Sequence, residues 1–282
     1  MSRTHDGAID QWLDELARYE TVSGFTHAFY ELVADYLSGV DAPSEVMRAL
    51  YRDYLAVEVR YHGALAAQAA GETVDLKVVR AVAEKHEIGM RSMLERVDEP
   101  SASGAAEVGR ALLAAQCYYH LGLTEQVIDR LERAIGEGAG HPLVQFALGY
   151  NRYQLAGQAF TRCDAATGKD EVLDEDRFRM ACLSAVSAFQ DGLSGDEFDG
   201  QLHWWIATAL RSAGFGDAAD ASVRRAAEVI GDAGAWDDGV SFDDDWSGET
   251  GEDEGGLGPI SDEEIDEANV QFRRGWALSD LD

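Results

Sequence analysis

Carboxylate and imidazole side chains recur at helical spacing in two stretches near the N-terminus. Glu58 and His62 are four residues apart, and Glu84, His86 and Glu87 lie close together further along the chain. Residues four apart share one face of a helix. Two such helices facing each other in a bundle would build a carboxylate–histidine metal site.

Two observations weigh against this site. The Glu-x-x-His spacing of di-iron bundles occurs in neither stretch, and exposed ion pairs with nearby Arg and Lys explain the same residues. The chain also has no GxxxxGK[ST], HExxH or GxSxG motif. We therefore predict no catalytic residues, no metal and no cofactor, and keep a helical-bundle metal protein or enzyme as the alternative.

Charge is the dominant feature of the composition. The formal net charge is -30, and the 23 basic residues include three lysines, Lys77, Lys85 and Lys169. Residues 231–282 contain 17 acidic and two basic residues, which is half of the net charge. An acidic, lysine-poor chain is typical of halophilic proteins, because molar salt screens self-repulsion. The same charge disfavours nucleic acid and anionic membranes as partners.

The chain shows no signal for secretion or for membrane insertion. Its first residues lack the apolar segment of a signal peptide, and no apolar run approaches the length of a membrane span. Three scattered cysteines, Cys117, Cys163 and Cys182, form no CxxC pair and are expected to be buried thiols. These features predict a cytoplasmic protein.

Apolar residues recur every three or four positions along most of the chain, which predicts an all-α fold. The expected helices cover 8–20, 24–38, Pro43 to about Ala70, 74–97, 108–121, 125–136, 141 to about 156, 174–192, 200–213 and 217–230. We predict four regions: an N-terminal helical bundle at 1–98, helical hairpins at 106–230, an acidic flexible tether at 231–260 and an amphipathic helix at 261–282. Residues 99–105 connect the first two.

The helical hairpins from 106 onward resemble tetratricopeptide repeats, whose unit is a helix-turn-helix of 34 residues. Gly122 and Ala156 are 34 residues apart at the expected turn positions, and Gly214 takes the next one after an insertion near 157–173. The residues that match the unit's first helix are Tyr118, Leu121, Leu148, Gly149, Tyr153 and Leu155, and those that match its second helix are Val127, Leu131, Ala134, Ala219, Val223 and Ala226. Val127 stands where the family usually has a small residue.

The resemblance implies a short α-solenoid in which the first helix of each unit lines a concave groove. Its groove-facing positions would be Leu112, Gln116, Tyr119, Leu143, Phe146, Tyr150, Tyr153, Gln201, Trp204, Thr208 and Arg211. This surface would be aromatic and nearly uncharged, as binding hot spots are. The alternative is that these aromatic residues are buried against the N-terminal bundle.

The C-terminal segment combines an acidic, glycine-rich stretch with a helical pattern. Residues 236–259 cannot form a core and are expected to be disordered. Ser261 and Glu264 then have capping-box spacing, and Ile265, Phe272 and Trp276 fall on one stripe. This recognition helix would pack on the body of the protein, dock reversibly in the groove or bind another protein.

We therefore expect a non-enzymatic scaffold or adaptor that binds a peptide or helix in an aromatic groove. Its partner would be another protein or its own C-terminal helix. A self-assembling structural subunit is a further alternative. An oligomer is compatible with the adaptor and with the structural subunit.

Overall fold

The computed structural model describes residues 7–22, 24–38, 45–70, 75–97, 104–163, 170–196 and 198–230. Within these residues the chain forms ten helices and one two-stranded sheet, which confirms the all-α class. In the same part of the chain, no helix combines the length and apolar character needed to cross a bilayer. The segments predicted to form an acidic tether and a C-terminal helix, with Ile265, Phe272 and Trp276, lie outside the described residues.

The helix bounds follow the apolar periodicity closely. The helices are α1 (Gly7–Leu16), α2 (Gly24–Ser38), α3 (Glu45–Ala69), α4 (Leu76–Val97), α5 (Gly104–His120), α6 (Thr124–Gly136), α7 (Pro142–Phe160), α8 (Glu175–Asp191), α9 (Asp199–Ser212) and α10 (Gly216–Ile230). The sequence predicts each of them to within a few residues, because each has an apolar face that packing can bury.

Between α7 and α8 the chain forms a small antiparallel hairpin, which the sequence does not predict. β1 (Thr161–Cys163) pairs with β2 (Asp170–Val172), with Thr161 opposite Val172. This hairpin occupies the insertion expected near 157–173. Leu173 N then donates to Phe160 O at 2.7 Å, which brings the start of α8 back beside the end of α7.

Two glycine turns close helical hairpins with the same geometry. Gly122 follows α5 with φ 70° and Gly214 follows α9 with φ 89°. At the first turn, Leu123 N donates to Tyr118 O at 3.0 Å, and at the second Phe215 N donates to Leu210 O at 2.9 Å. Glycine adopts this left-handed conformation without strain, so each turn ends one helix and starts the next.

The predicted turn at Ala156 is wrong. α7 continues through this position to Phe160, and Ala156 is fully buried within it. An alanine continues a helix readily, whereas the glycines at the other two positions end one. The helical pairs α5–α6, α8–α9 and α9–α10 pack together, which is compatible with a helical repeat.

The chain divides into two compact units, residues 1–144 and 145–282. In the first unit α3 packs on α1 and α4, and α5 packs on α4 and α6. α5 and α6 therefore share a unit with the N-terminal helices.

The second unit has an aromatic core. Phe146 of α7 lies against Phe189 of α8, with ring centroids 6.1 Å apart, and against Trp205 of α9 at 6.5 Å. α7 and α8 approach closely at Gly149, where a Cβ would lie 2.6 Å from the Phe189 ring. Arg152 is buried beside this contact, and its Nη1 donates to Ser184 O at 2.9 Å.

Candidate functional site

The buried stripe of α3 changes from apolar to polar partway along the helix. Its buried residues lie on one face of the helix and are Met47, Leu50, Tyr51, Tyr54, Leu55, Glu58 and His62. The Glu58 side chain has no solvent exposure at all. A buried carboxylate is costly unless it is paired, so the groups that surround Glu58 define the site.

His86 of α4 makes the shortest contact with this carboxylate. His86 Nε2 lies 2.7 Å from Glu58 Oε1, and because a carboxylate only accepts, Nε2 donates. α4 buries His86 in the same stripe as Met90 and Met93. The Tyr61 ring stacks on the imidazole with centroids 4.0 Å apart and fixes its plane.

His120, the last residue of α5, supplies a second imidazole. Its Nε2 is 3.4 Å from Glu58 Oε2 and 3.0 Å from the Tyr54 hydroxyl. The turn at Gly122 ends α5 at this residue. His120 is the most exposed of the three imidazoles around Glu58, with a side-chain exposure of 17%, so the cluster comes nearest to solvent at this residue.

His62 approaches the same carboxylate from one turn further along α3. Its Nε2 is 3.5 Å from Glu58 Oε2. Its other ring nitrogen, Nδ1, is 2.7 Å from Thr21 Oγ1 in the segment between α1 and α2. Such a partner on the far nitrogen orients an imidazole and sets its tautomer.

Two phenols complete the cluster. The Tyr30 hydroxyl of α2 donates to Glu58 Oε2 at 2.9 Å and lies 3.3 Å from His120 Nε2. Tyr54 and Tyr30 have their hydroxyls 3.4 Å apart. Tyr51 supports them from behind, because its hydroxyl donates to the Tyr30 carbonyl at 2.8 Å. Four helices, α2 to α5, thus contribute to one polar cluster.

The electrostatics favour a deprotonated carboxylate at Glu58. Burial alone would raise the pKa of Glu58, but hydrogen bonds from His62 and His86 and the attraction of His120 outweigh it, and this pKa lies well below its usual range. Burial, helped by repulsion from His86 and His62, lowers the pKa of His120 against the attraction of Glu58. His120 is thereby held in the neutral form that binds metals.

The phenols are held protonated in the same environment. Burial first, and then the negative charge of Glu58, raise the pKa of Tyr30 and Tyr54 well above the usual tyrosine value. The nearby thiol behaves in the same way. Burial and the charge of Glu58 raise the pKa of Cys117, which leaves it an inert thiol.

Glu58, His86 and His120 have the donor set of a transition-metal centre. One ligand atom from each residue lies within 4.8 Å of the other two. Neighbouring ligand atoms on one ion with bonds of about 2.1 Å lie about 3.0–3.4 Å apart. Closing onto an ion therefore needs shifts of up to about 1.5 Å between the most distant pair. Two imidazoles and one carboxylate are the ligands of catalytic zinc and of non-haem iron(II).

The interpretation of these residues as exposed ion pairs is wrong for Glu58, His62 and His86. Their partners within the described part of the chain are one another, His120, the phenols and Thr21. It is correct for Glu87, which is exposed and binds Arg91 Nη2 at 2.8 Å.

The residues predicted to line a groove fall into both compact units. Leu112 and Gln116 are buried in the first unit, and Tyr119 is 45% exposed there. In the second unit Phe146 is buried in the aromatic core, and Arg211 binds Asp220 at 2.8 Å. Tyr150, Tyr153 and Trp204 are half-buried, and the Tyr153 hydroxyl lies 2.9 Å from Ser212 Oγ.

Three residues of the cluster are missing from the sequence-based candidates. Tyr54 had a signal, because it precedes Glu58 and His62 at the same four-residue spacing on α3. His120 and Tyr30 had no sequence signal, because they are at least 28 residues from Glu58 in the chain. The packing of α2 and α5 beside α3 brings them close to it. Comparisons with protein-family models, with curated proteins and with solved structures each found no match to this chain.

Proposed function

We propose that the N-terminal unit is a metal-binding helical bundle that holds one divalent transition-metal ion between Glu58, His86 and His120. The observation that carries the proposal is the fully buried Glu58 carboxylate with three imidazoles as its ion-pair partners. A structural salt bridge would use Arg or Lys, which keep their charge at neutral pH. A neutral imidazole offers a nitrogen lone pair, which is what a metal ion needs. Where His86 Nε2 binds the ion, it would release the proton that it donates to Glu58.

Iron(II) is the ion that this donor set favours. Two histidines and one carboxylate leave further coordination positions free, as in non-haem iron sites. His62 Nε2 lies 3.5 Å from Glu58 Oε2 but outside the group whose ligand atoms lie within 4.8 Å of one another, so we propose three protein ligands. Zinc is the main competitor, because catalytic zinc sites use the same residue types. The function is then a metal-dependent activity of the bundle.

Metal content tests the proposal directly. Full-length protein purified without chelator at molar salt should contain close to one equivalent of iron or zinc per chain. Metal-free protein should regain it under anaerobic iron(II), with a rise in unfolding midpoint. Glu58→Gln and His120→Gln should weaken iron(II) binding by about 100-fold or more, since each removes a direct ligand.

Glu87→Gln is the matched control. Glu87 belongs to α4, as His86 does, but it is exposed and paired with Arg91. This variant should bind iron(II) as the wild type does. A wild-type protein that takes up neither iron nor zinc, although folded, would show that the cluster is a structural hydrogen-bond network.

The half-buried aromatic side chains of the second unit support a second function, protein binding. Tyr150 and Trp205 pack edge to face with centroids 5.1 Å apart, and Tyr153 and Trp204 are also half-buried. Rigid aromatic surface of this kind anchors peptides and helices. In this proposal the helical hairpins are tetratricopeptide-like, and the protein works in the cytoplasm of a halophile. Its partner is another protein or the chain's own C-terminal segment.

Co-purification from native lysate at molar salt tests this second function. The full chain would be compared with a folded Tyr150→Ala/Trp204→Ala variant. A partner bound by the wild type and lost by the variant supports an adaptor. A partner retained equally by both places the binding surface elsewhere in the chain.

A further inference from the structure

Two buried phenols contact His120 Nε2, the ring nitrogen that faces Glu58 in the proposed metal site. The hydroxyls of Tyr30 and Tyr54 lie 3.3 and 3.0 Å from His120 Nε2, and 3.4 Å from each other. Both side chains are almost completely buried, with 1% and 0% exposure. Their hydroxyls therefore depend on partners inside the cluster.

Metal binding would remove one of these partners. A lone pair on His120 Nε2 that coordinates an ion no longer accepts a hydrogen bond. Tyr30 keeps Glu58 Oε2 as an acceptor at 2.9 Å, whereas Tyr54 is left with the Tyr30 hydroxyl at 3.4 Å. A buried hydroxyl without a good acceptor is unfavourable. The loaded site thus has a hydroxyl donor beside the ion that needs a new acceptor.

We propose that this acceptor is a small exogenous ligand of the iron, of the dioxygen class, and that Tyr54, with Tyr30 behind it, donates a hydrogen bond to it. The inference rests on the proposed metal-binding function. Size follows from burial, because Glu58 is fully enclosed and His86 nearly so. The cluster comes nearest to solvent at His120, the residue that both phenols contact.

Charge also favours such a ligand. Glu58 is the single carboxylate among the grouped metal-ligating residues of the described chain. One carboxylate leaves a divalent ion with a net positive charge, and a diatomic ligand gains electron density from iron(II). A hydrogen-bond donor aimed at that ligand stabilises the added charge in a buried site.

Nitric oxide is the probe for this inference, because it binds iron(II) as dioxygen does but forms a stable complex with an EPR signal. The full-length protein would be loaded anaerobically with iron(II), the bound iron measured, and nitric oxide titrated against the iron–nitrosyl signal. Tyr54→Phe should weaken nitric oxide binding by about fivefold to tenfold, the usual effect of one hydrogen bond. Nitric oxide affinity is measured per bound iron, so a change in iron content does not enter the comparison.

Tyr51→Phe is the matched control. Its ring stacks on Tyr54 with centroids 5.9 Å apart, but its hydroxyl donates to the backbone carbonyl of Tyr30. This variant also loses one buried hydroxyl, and it should bind nitric oxide with wild-type affinity. Tyr30→Phe should show a smaller loss than Tyr54→Phe, because Tyr30 retains Glu58 as an acceptor.

The outcomes separate this inference from the metal site itself. A wild type that takes up no iron overturns the proposed function. Iron uptake without nitric oxide binding, or equal affinity in wild type and Tyr54→Phe, overturns only the ligand inference. Visible absorption from an iron(III)–tyrosinate bond in the oxidised wild type, absent in Tyr54→Phe, would also overturn it, since Tyr54 would then be a metal ligand.

Discussion

The two compact units fill their centres with different chemistry. In the first, four helices converge on Glu58 and its imidazoles, whereas in the second, three helices converge on the rings of Phe146, Phe189 and Trp205. Apolar rings gain stability from burial alone. A buried carboxylate gains it only when every neighbour is in place. A cluster that costs stability and spans four helices is typical of a functional site.

The second unit shows how the same fold class buries a charge for structural reasons. Arg152 is 1% exposed, and its guanidinium binds a backbone carbonyl of the neighbouring helix. Arginine stays charged and cannot bind a metal ion. The Glu58 carboxylate can therefore bind a metal ion and the Arg152 guanidinium cannot, and measurements on each unit test this difference.

The largest effect is expected from truncating the central carboxylate. Glu58→Ala leaves Tyr30, His62 and His86 without their shared acceptor and creates a cavity. It should lower the free energy of unfolding of the metal-free protein by about 3–5 kcal/mol. Urea denaturation at molar salt measures it. Glu87→Ala, at an exposed ion pair on α4, should change stability by less than about 1 kcal/mol. A stable Glu58→Ala protein would mean that the cluster contributes nothing to folding.

Acidification should lower the free energy of unfolding of the first unit in the wild-type protein. The folded-state pKa values of Glu58 and His120 both lie below their usual ranges, so the unfolded chain binds more protons. The stabilisation that each group contributes is full above its pKa in the unfolded chain and is lost as the pH falls. The loss begins at about pH 7 for His120 and at about pH 5 for Glu58. The groups facing them, His62, His86, Tyr30 and Tyr54, belong to the same cluster.

Urea midpoints of the metal-free protein between about pH 7.5 and about pH 4 check this decline. Glu58→Ala should show a shallower slope below about pH 5, because it lacks the group that titrates there. A slope unchanged by this substitution would assign the acid sensitivity to other carboxylates.

The close approach of α7 and α8 at Gly149 should make the second unit sensitive to an added methyl group. Gly149→Ala places a Cβ 2.6 Å from the Phe189 ring and should destabilise the protein by about 1–3 kcal/mol. Gly157→Ala is the control on the same helix, where nothing lies within 4 Å of the added Cβ. It should stabilise by up to about 1 kcal/mol through helix propensity. Two equal effects would show that the contact with Phe189 is adaptable.

The smallest effect concerns the half-buried phenol of the second unit. Tyr153→Phe removes a hydrogen bond of 2.9 Å to Ser212 and should cost about 1 kcal/mol. A double-mutant cycle with Ser212→Ala measures the coupling of the two hydroxyls. Additive losses would show that water replaces the bond, and that this hydroxyl is free to contact a partner.

The helices could be predicted from the sequence because their signal is local. Apolar residues at three- and four-residue spacing, with Gly122 and Gly214 at two turns, fix the bounds of α5, α6, α9 and α10. The β-hairpin at 161–172 and the continuation of α7 through Ala156 could not be read in this way, since both depend on packing.

The polar cluster around Glu58 could be predicted only in part. Glu58, His62 and His86 were visible as a helical pattern, but their burial was not. An ion pair with Arg or Lys and a buried site have the same local spacing. His120 and Tyr30 join the cluster through the packing of α5 and α2 on α3. The local sequence does not show which face of those helices contacts α3, so these two residues could not be predicted.

The turn after α5 has a consequence for how the chain can change over evolution. Exposed turns between helices ordinarily tolerate insertions and deletions. Gly122 is exposed, with open space around it, yet the helix that it ends has His120 as its last residue. A residue added between Gly122 and Thr124 would leave α5 and this imidazole in place, whereas one added within the last turn of α5 would rotate His120 away from Glu58. The turn therefore tolerates a change of length only on its α6 side.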